Sequence, residues 1–370
     1  MNEEIRMERL DGLRRRMAET GVGLAAVAPT DNLIYLLGFA PKYDERACML
    51  LVSPGGASVV MPSLNAEQSA AEAPELELIR WSDAAGPVDA IRTALEHVGA
   101  NGRAVAVDGE MRADHLLLLQ AALPDARTVT ATDVLGALRV AKSAQEIEAL
   151  QVAGSAADQA VLAAFAACRS GVTEAEVAEA VAASFAAQGQ ELLFAIVGGG
   201  PNGAYPHHHT SSRPLADGDA VVIDIGGRGE AGYVSDITRM AFVGEPTDRY
   251  REVHAVVEAA VQAGMAAARP GATCQDVDTA ARSVIADAGF GEYFVHRTGH
   301  GLGLSVHESP WIMRGDETEL RVGMVHSIEP GIYLPGEFGV RLEEIVHITE
   351  DGCSRFSALP RDVHVVGAGA

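Results

Sequence analysis

The chain has 370 residues, with 28 Lys and Arg against 51 Asp and Glu, a formal net charge of −23 and a hydrophobic fraction of 48%. Such a negative charge repels phosphate backbones and anionic bilayers, so it argues against a protein that binds nucleic acid or a membrane surface. The length predicts two domains of ordinary size. We expect the partner to be a small molecule or a peptide.

Neither the start of the chain nor its cysteines indicates export. Residues 1–6 lack the basic and apolar regions of a signal peptide, and no segment is apolar for long enough to span a bilayer. The four cysteines are far apart in the sequence and lack metal-binding spacing. We therefore expect a cytoplasmic protein with reduced thiols.

The first part of the chain, residues 1–135, is predicted to be an α/β domain because short β-rich runs alternate with helical ones. We predict strands at 24–28, 33–37, 48–52, 58–61 and 104–107, and helices at 87–98 and 113–122. This part has no cluster of histidines or carboxylates, so we expect it to support the fold or assembly. The predicted joint is 134–145, where a strand-like segment precedes an Ala-rich helix over 143–168.

Two segments of the second part, residues 140–370, are similar to each other and lie about a hundred residues apart. Thr173 and Thr273 each begin a capping box that opens a helix, and each is followed 34 residues later by a histidine, His207 or His307. An internal duplication is the economical explanation, and coincidence among Ala-rich helices is the alternative.

Four acidic residues lie in apolar runs that flank the turns of two predicted β-hairpins. Asp224 and Asp236 are equidistant from a turn centred on Glu230, and Glu329 and Glu343 flank a second turn in the same way. Side chains that face each other across a ladder have Cβ atoms roughly 5 Å apart, so like charges repel there unless a cation lies between them. A solvated surface charge is the usual role of one acid, but four unpaired buried carboxylates are too costly. They predict a divalent metal site.

His300 lies among glycines in the segment TGHGLG, which lets backbone and ligand approach closely. It is a candidate nitrogen ligand, although a single buried histidine is more often a hydrogen-bonded core residue. An oxygen-rich site with one imidazole suits Mn²⁺ or Co²⁺, with Zn²⁺ or Fe²⁺ as alternatives. Because four carboxylates carry about four negative charges, we expect two divalent metal ions.

At these motifs the sequence resembles the pita-bread metallopeptidases, the superfamily of methionine aminopeptidase, aminopeptidase P, prolidase and creatinase. The matching segments are VVIDIG (221–226), SDITR (235–239), TGHGLG (298–303), SIEPGIY (327–333) and GVRLEE (339–344). The resemblance implies a mixed α/β (α+β) fold, in which a creatinase-type N-terminal α/β domain over 1–135 precedes a pita-bread catalytic domain over 140–370 with an internal pseudo-twofold repeat. It also implies a homodimer.

The resemblance assigns a role to each metal ligand. The family's ligands fall on Asp224, Asp236, His300, Glu329 and Glu343. Of these, Asp236 and Glu343 would bridge the two metals. Creatinase and the non-catalytic pita-bread proteins lack this ligand set, so its presence argues against a creatine amidinohydrolase and against a non-enzymatic relative.

Catalytic and substrate-binding roles follow from the same resemblance. Glu329 is expected to carry a proton from the attacking water to the leaving nitrogen, and His207 and His307 to donate hydrogen bonds to the substrate carbonyl or the oxyanion. Packing under the sheet is the alternative role of these two histidines. Arg341 could form a salt bridge with a ligand or hold a substrate carboxylate. His296 resembles a substrate-side gate histidine of aminopeptidase P.

Trp311 departs from the family pattern, because prolidases often have there an arginine associated with the terminal carboxylate of the substrate. Tryptophan offers an apolar wall and one N–H donor, so it could stack on a proline ring, or it could belong to the core or to an interface. This departure puts strict selection of dipeptides in doubt.

The two-domain layout and the pair Pro206–His207 favour the proline-specific branch of the superfamily. We therefore predict an Xaa-Pro dipeptidase that acts on small peptides with proline at the second position. The alternatives are an aminopeptidase P that acts on longer peptides, a pita-bread amidohydrolase that acts on a small non-peptide amide, and a peptide-binding scaffold.

Overall fold

The computed structural model of the protein describes residues 1–100 and 104–367. The chain divides into two compact units, Met1–Arg139 and Val140–Ala370. Within the described ranges, no helix is both long enough and apolar enough to cross a membrane.

The first unit is built around one six-stranded sheet in the order β4-β3-β2-β1-β5-β6. Its strands are β1 Leu24–Val27, β2 Met49–Ser53, β3 Gly56–Pro62, β4 Glu77–Trp81, β5 Ala104–Val107 and β6 Arg127–Thr130. Its helices are α1 Glu3–Thr20, α2 Asp31–Leu37, α3 Ser63–Glu72, α4 Val88–His97, α5 Ala113–Ala122 and α6 Leu135–Arg139, with a 3₁₀ turn at Ala131–Asp133. Strand β2 is antiparallel to both of its neighbours, and the other pairs are parallel.

The predicted strand at 33–37 is wrong, because these residues form helix α2. The Thr30 side chain accepts the backbone N–H of Asn32 at the start of the helix, and Gly38 ends it with a φ of 83°. A short apolar run fits a buried strand and a buried helical turn equally well, so its periodicity did not separate the two.

The strand-like reading of 134–145 is also wrong at its start, where α6 forms. The other strands and helices predicted for this unit are confirmed within two residues at each end. The Ala-rich helix predicted over 143–168 is confirmed as α7, Ala144–Ala167, and the Ser143 side chain caps it in a capping box with Glu146.

The described part of the second unit, residues 140–367, contains three sheets and four long helices. Its helices are α7, α8 Glu174–Ala187, α9 Asp248–Ala267 and α10 Cys274–Asp287, with 3₁₀ turns at Gly200–Ala204 and Gly291–Tyr293. Its strands are β7 Glu191–Gly199, β8 Ala220–Arg228, β9 Ile237–Val243, β10 Gly299–Gly301, β11 Glu308–Ile312, β12 Val325–Ile328, β13 Gly331–Leu334, β14 Phe338–Arg341, β15 Glu344–Thr349, β16 Gly352–Arg355 and β17 His364–Val366. The sheet orders are β17-β9-β8-β7, β11-β10-β12-β15-β16 and β13-β14.

The repeated segments have the same local structure. Both predicted capping boxes form, one at the start of α8 and one at the start of α10. In the first copy Leu215 donates its backbone N–H to the Val172 carbonyl, and in the second Leu320 donates to the Ala272 carbonyl, both at 2.8 Å. These matching contacts agree with an internal duplication. A hairpin that carries two of the acidic residues follows each copy in the chain.

Candidate active site

The first hairpin carries Asp224 within β8 and Asp236 directly before β9. The ladder pairs Asp224 with Thr238, so Asp236 does not face Asp224 as predicted. The predicted register is wrong because the loop at 229–233 centres the hairpin one position later. The resulting shift of two residues keeps every side chain on its face, since strand side chains alternate with a period of two.

The second hairpin has the predicted register. Ile328 pairs with Glu344 in the ladder between β12 and β15, and β13 pairs with β14 in the same register on the other side of a short break. Glu329 and Glu343 lie opposite each other at that break. The break interrupts the backbone pairing at the two residues whose side chains the site needs.

Three overlapping groups of side chains bring potential metal-ligating atoms within 4.8 Å of one another. The groups are Asp224, Asp236 and Glu343; His300, Glu329 and Glu343; and Asp236, His300 and His307. The structure therefore brings the five predicted ligands together and adds His307 at their edge.

The donor set fits divalent cations because its carboxylates are buried and incompletely satisfied. Asp224, Asp236 and Glu343 are 9%, 8% and 1% exposed, and each has one buried oxygen without a hydrogen-bond partner among the described residues. Burial raises the pKa of all three carboxyls, and the charge of Glu343 raises that of Asp236 further. A buried carboxylate oxygen whose lone pairs accept no hydrogen bond is costly, and coordination of a hard cation removes that cost.

His300 presents one ring nitrogen to the acids. Its Nδ1 lies 3.1 Å from the Gly301 carbonyl, and its Nε2 lies 3.1 Å from Glu329 Oε1 and 3.8 Å from Asp236 Oδ2. With Nδ1 donating to this carbonyl, a metal that replaces the proton between Nε2 and Glu329 would bind the Nε2 lone pair. Gly299 permits the close strand pairing here, since a Cβ at this position would lie 2.0 Å from the Ser327 carbonyl oxygen.

Glu329 differs from the other acids. Burial alone would raise its pKa, but the hydrogen bond and charge of His300 lower the pKa of Glu329 to about 2. The Ser327 hydroxyl also donates to Glu329 Oε1 at 3.0 Å. Glu329 is therefore ionised at neutral pH and able to accept a proton.

Arg341 is buried and paired with a predicted ligand. Its guanidinium donates to Asp224 Oδ2, to the Tyr333 hydroxyl at 2.8 Å, to the Thr238 hydroxyl at 3.2 Å and to the Pro206 carbonyl at 3.3 Å. Of the two roles considered for Arg341, this geometry favours the salt bridge to a ligand. Four of its five N–H groups are already engaged.

The predicted ligands line a cavity of about 690 Å³, a volume typical of small-ligand sites. His207, His296 and His307 line the same cavity, so the structure brings the three predicted substrate-side histidines to it. Burial and the charge of His300 lower the pKa of His307 to about 4, which keeps it neutral. His296 Nε2 lies 2.8 Å from the Tyr333 hydroxyl.

Trp311 does not line this cavity. It pairs with His300 across the β10–β11 ladder, and its ring lies under the guanidinium of Arg297, whose central carbon is 4.3 Å from the ring centroid. Arg297 does line the cavity. The structure therefore places an arginine between the predicted substrate-binding tryptophan and the cavity.

Thr238, Tyr333 and Arg297 are site residues that the sequence reasoning missed. Thr238 and Tyr333 lie inside two of the matching motifs, and Thr238 is two residues from Asp236, a spacing that puts it on the same strand face. Arg297 had only its position three residues before His300 as a signal.

Comparison with known proteins agrees with this geometry. Residues 148–350 match the model of metallopeptidase family M24, and residues 9–141 match the creatinase/prolidase N-terminal domain. The probable dipeptidase PepE of Mycobacterium tuberculosis is 42% identical over 98% of this chain and 97% of that protein. The Xaa-Pro dipeptidase of Lactobacillus delbrueckii subsp. lactis is 35% identical over 96% of this chain and 98% of its own length.

Solved structures give the same result. The dipeptidase PepE from Mycobacterium ulcerans superposes with a TM-score of 0.94 at 40% identity, covering both chains completely. A prolidase from Thermococcus sibiricus superposes with a TM-score of 0.92 at 32% identity over 99% of this chain and 100% of that one. The protein is a metallopeptidase of family M24, with a creatinase-type N-terminal domain and a C-terminal pita-bread domain. The predicted family and fold class are confirmed.

Proposed function

We propose that this protein is an Xaa-Pro dipeptidase, which hydrolyses the bond between an N-terminal residue and proline. The observation that carries the proposal is the convergence of four carboxylates and His300 on one cavity, where three buried carboxylate oxygens have no partner among the residues that the structure describes. The relatives named Xaa-Pro dipeptidase and prolidase support the choice of substrate.

In the proposed site, Asp224, Asp236, His300, Glu329 and Glu343 hold two divalent cations. Bound there, the cations supply an activated water and polarise the scissile carbonyl. Asp236 and Glu343 are the two carboxylates that belong to two of the three overlapping groups, which supports the bridging role that the family resemblance implies for them.

The remaining steps belong to side chains around the cavity. Glu329, ionised and within reach of His300, takes a proton from the attacking water and delivers it to the leaving nitrogen. His207 and His307 border the cavity as donors that hydrogen-bond the substrate carbonyl and the oxyanion. Arg341 holds Asp224 in place, and His296, which is hydrogen-bonded to Tyr333, forms part of the cavity wall.

Metal reconstitution with a short substrate series tests the proposal. The protein is stripped with a chelator, reloaded with Mn²⁺, Co²⁺, Zn²⁺ or Fe²⁺ singly, and assayed on Ala-Pro, Ala-Pro-Ala, Ala-Ala and creatine. We expect metal-dependent cleavage of Ala-Pro. Preference for the tripeptide would identify an aminopeptidase P, and preference for Ala-Ala a dipeptidase without proline selectivity. Creatine turnover would identify an amidohydrolase, and no metal-dependent cleavage would contradict the peptidase assignment.

We also propose Mn²⁺ or Co²⁺ as the metals, a homodimer as the assembly, a cytoplasmic location and domain limits at 1–135 and 140–370. The oxygen-rich donor set supports the first of these. The four cysteines, which are free, support a reducing compartment. Activity per bound metal and light scattering of the full chain test the metal and the assembly.

A further inference from the structure

Arg297 lines the cavity and forms no ion pair with the described residues. Among the described residues its guanidinium forms no hydrogen bond or ion pair, and its contact is with the ring of Trp311. An arginine that is half-buried beside a site and forms no ion pair gives up hydration, and here only the more distant charge of Glu329 compensates for it. Such a group is positioned to receive an anion.

The ring beneath Arg297 fixes where that anion would bind. Trp311 faces His300 across the β10–β11 ladder, and residues directly opposite each other project to the same face of a sheet. The central carbon of the guanidinium lies 4.3 Å from the centre of this ring, a cation–π contact that uses none of its N–H groups. The donors of Arg297 are therefore held on the side of the sheet that carries the metal ligands.

The other arginines of the cavity are already engaged. Arg341 uses four N–H groups on the protein itself. Arg228 donates to the Gly232 carbonyl at 2.9 Å. Arg297 is thus the cavity arginine whose guanidinium forms no hydrogen bond within the described part of the chain.

The substrate chemistry identifies the anion. A dipeptide carries its terminal carboxylate one residue beyond the scissile bond, and this anion must enter a cavity lined by four acids. Resting on the proposed function, we propose that Arg297 binds the terminal carboxylate of the dipeptide and that Trp311 is the positioning residue beneath it. The guanidinium of Arg297 then lies over the ring of Trp311. Trp311 occupies the strand position where prolidases often have an arginine.

The experiment compares two substrates that share one scissile bond. Ala-Pro ends in a carboxylate and Ala-Pro amide in a neutral group, so their kcat/KM ratio measures recognition of that charge. In the metal-loaded full-length enzyme, Arg297→Gln is expected to lower kcat/KM for Ala-Pro by about 10²-fold, mainly through KM, and to change the amide by less than about threefold. Arg297→Lys should keep an intermediate ratio because it retains the charge but loses the planar fork.

Trp311→Ala should raise the KM for Ala-Pro about fivefold and leave the KM for the amide unchanged, whereas Trp311→Phe should restore the wild-type ratio. The matched control is Arg314→Gln, which removes the same charge from an exposed position just beyond β11 and should keep the wild-type ratio. Metal content and circular dichroism of each variant report folding.

Two results would overturn the inference: an equal loss on both substrates in Arg297→Gln and Arg297→Lys, or no loss on either. If the wild-type enzyme cleaves neither substrate with any metal, the proposed function fails. That outcome is distinct from a wild-type enzyme that cleaves both substrates at a ratio insensitive to Arg297.

Discussion

Glu343 and Glu344 are neighbours in the chain and are each 1% exposed, but the strand sends their side chains to opposite faces. On one face Glu344 accepts hydrogen bonds from Arg239 and Arg361, each at 2.8 Å. On the other face Glu343 accepts one from the neutral hydroxyl of Thr238 at 2.9 Å. Each glutamate has a second oxygen without a partner in the described structure, so the two acids differ in the charge of their donors. We call these faces the arginine side and the metal side.

The partner strand divides in the same way, since Thr238 serves the metal side and Arg239 the arginine side. The arginine side neutralises its buried acid with cations of the chain itself. The metal side leaves most of its charge for cations from outside. Burial of an acid is therefore not the signature of function here. The signature is a buried acid whose charge the chain leaves largely uncompensated.

The largest effect should come from removing a carboxylate of the metal side. Asp236→Asn keeps the shape of the side chain but removes a charge shared by two groups of ligands. Loss of one well-held cation removes about 4 kcal/mol of transition-state stabilisation, so kcat/KM should fall at least about 10³-fold. Metal per chain, measured by elemental analysis after dialysis, should fall as well.

The same substitution should leave the fold intact, because it relieves repulsion among buried acids. Circular dichroism and the urea midpoint of the metal-free variant provide the control. Full metal content together with full activity in Asp236→Asn would contradict the assignment of the metal side.

Breaking the arginine side should have the opposite profile. Glu344→Gln leaves Arg239, which is fully buried, without its carboxylate, and breaking a buried ion pair costs about 3 kcal/mol of unfolding free energy. Urea denaturation measures this loss. Metal per chain should stay at the wild-type value, and a variant that loses metal but no stability would show that the two faces are not separate.

The sequence predicted the metal side better than the arginine side. The second hairpin was placed in register because its turn is short and carries Gly336 with a φ of 78°. The first was misplaced by two residues because a five-residue glycine-rich loop admits several centres. The face of each acid survived that error, since a shift of two preserves the alternation.

Contacts between distant segments were not predictable from one sequence. Arg239 lies 105 residues from Glu344, and Arg297 reaches Trp311 only because β10 and β11 pair. The helix at Asp31–Leu37 was missed for a local reason, since its few apolar residues show no clear period and its cap at Thr30 lies three residues before the run. Motifs with fixed spacing identified the ligands, whereas tertiary packing determined their neighbours.

Removing the metal should make the free energy of unfolding depend on pH through the carboxyls of the metal side. Burial raises the pKa of Asp236 and Glu343 well above their usual values, so the folded metal-free protein holds protons that the unfolded chain has released. Because the folded state then binds more protons, its stability falls as pH rises above about 4, by at most about 1.4 kcal/mol per pH unit for each carboxyl. Glu329 adds no slope above about pH 5, since it is ionised in both states.

This slope is best measured as a difference between metal-free wild type and metal-free Asp236→Asn. Buried histidines such as His326, whose pKa burial lowers to about 4, give the opposite slope in both proteins and cancel. Free energies of unfolding from urea titrations should show the variant gaining on the wild type as the pH rises from about 5 to about 8, by at most about 1.4 kcal/mol per pH unit. A constant difference would mean that Asp236 is already ionised in the metal-free fold.

The smallest effects should come from removing a single hydroxyl on each of the two faces. Thr238→Val removes the hydroxyl that donates to Glu343 and accepts from Arg341, and Ser357→Ala removes the one that accepts from Arg239 and donates to Asp158 at 2.6 Å. A hydroxyl that orients a metal ligand is worth about tenfold in metal affinity, while a buried hydroxyl between an arginine and a carboxylate is worth about 1 kcal/mol of stability.

Competition with a chelator should therefore show weaker metal binding in Thr238→Val at nearly unchanged urea midpoint once metal is saturating. Ser357→Ala should show the reverse, a lower midpoint with wild-type metal affinity. If both variants lose metal and stability together, the sheet couples its two faces. Selective losses would show that neighbouring residues of one strand belong to independent electrostatic environments. In one, arginines of the chain neutralise the buried acid, and in the other, bound metal ions would neutralise it.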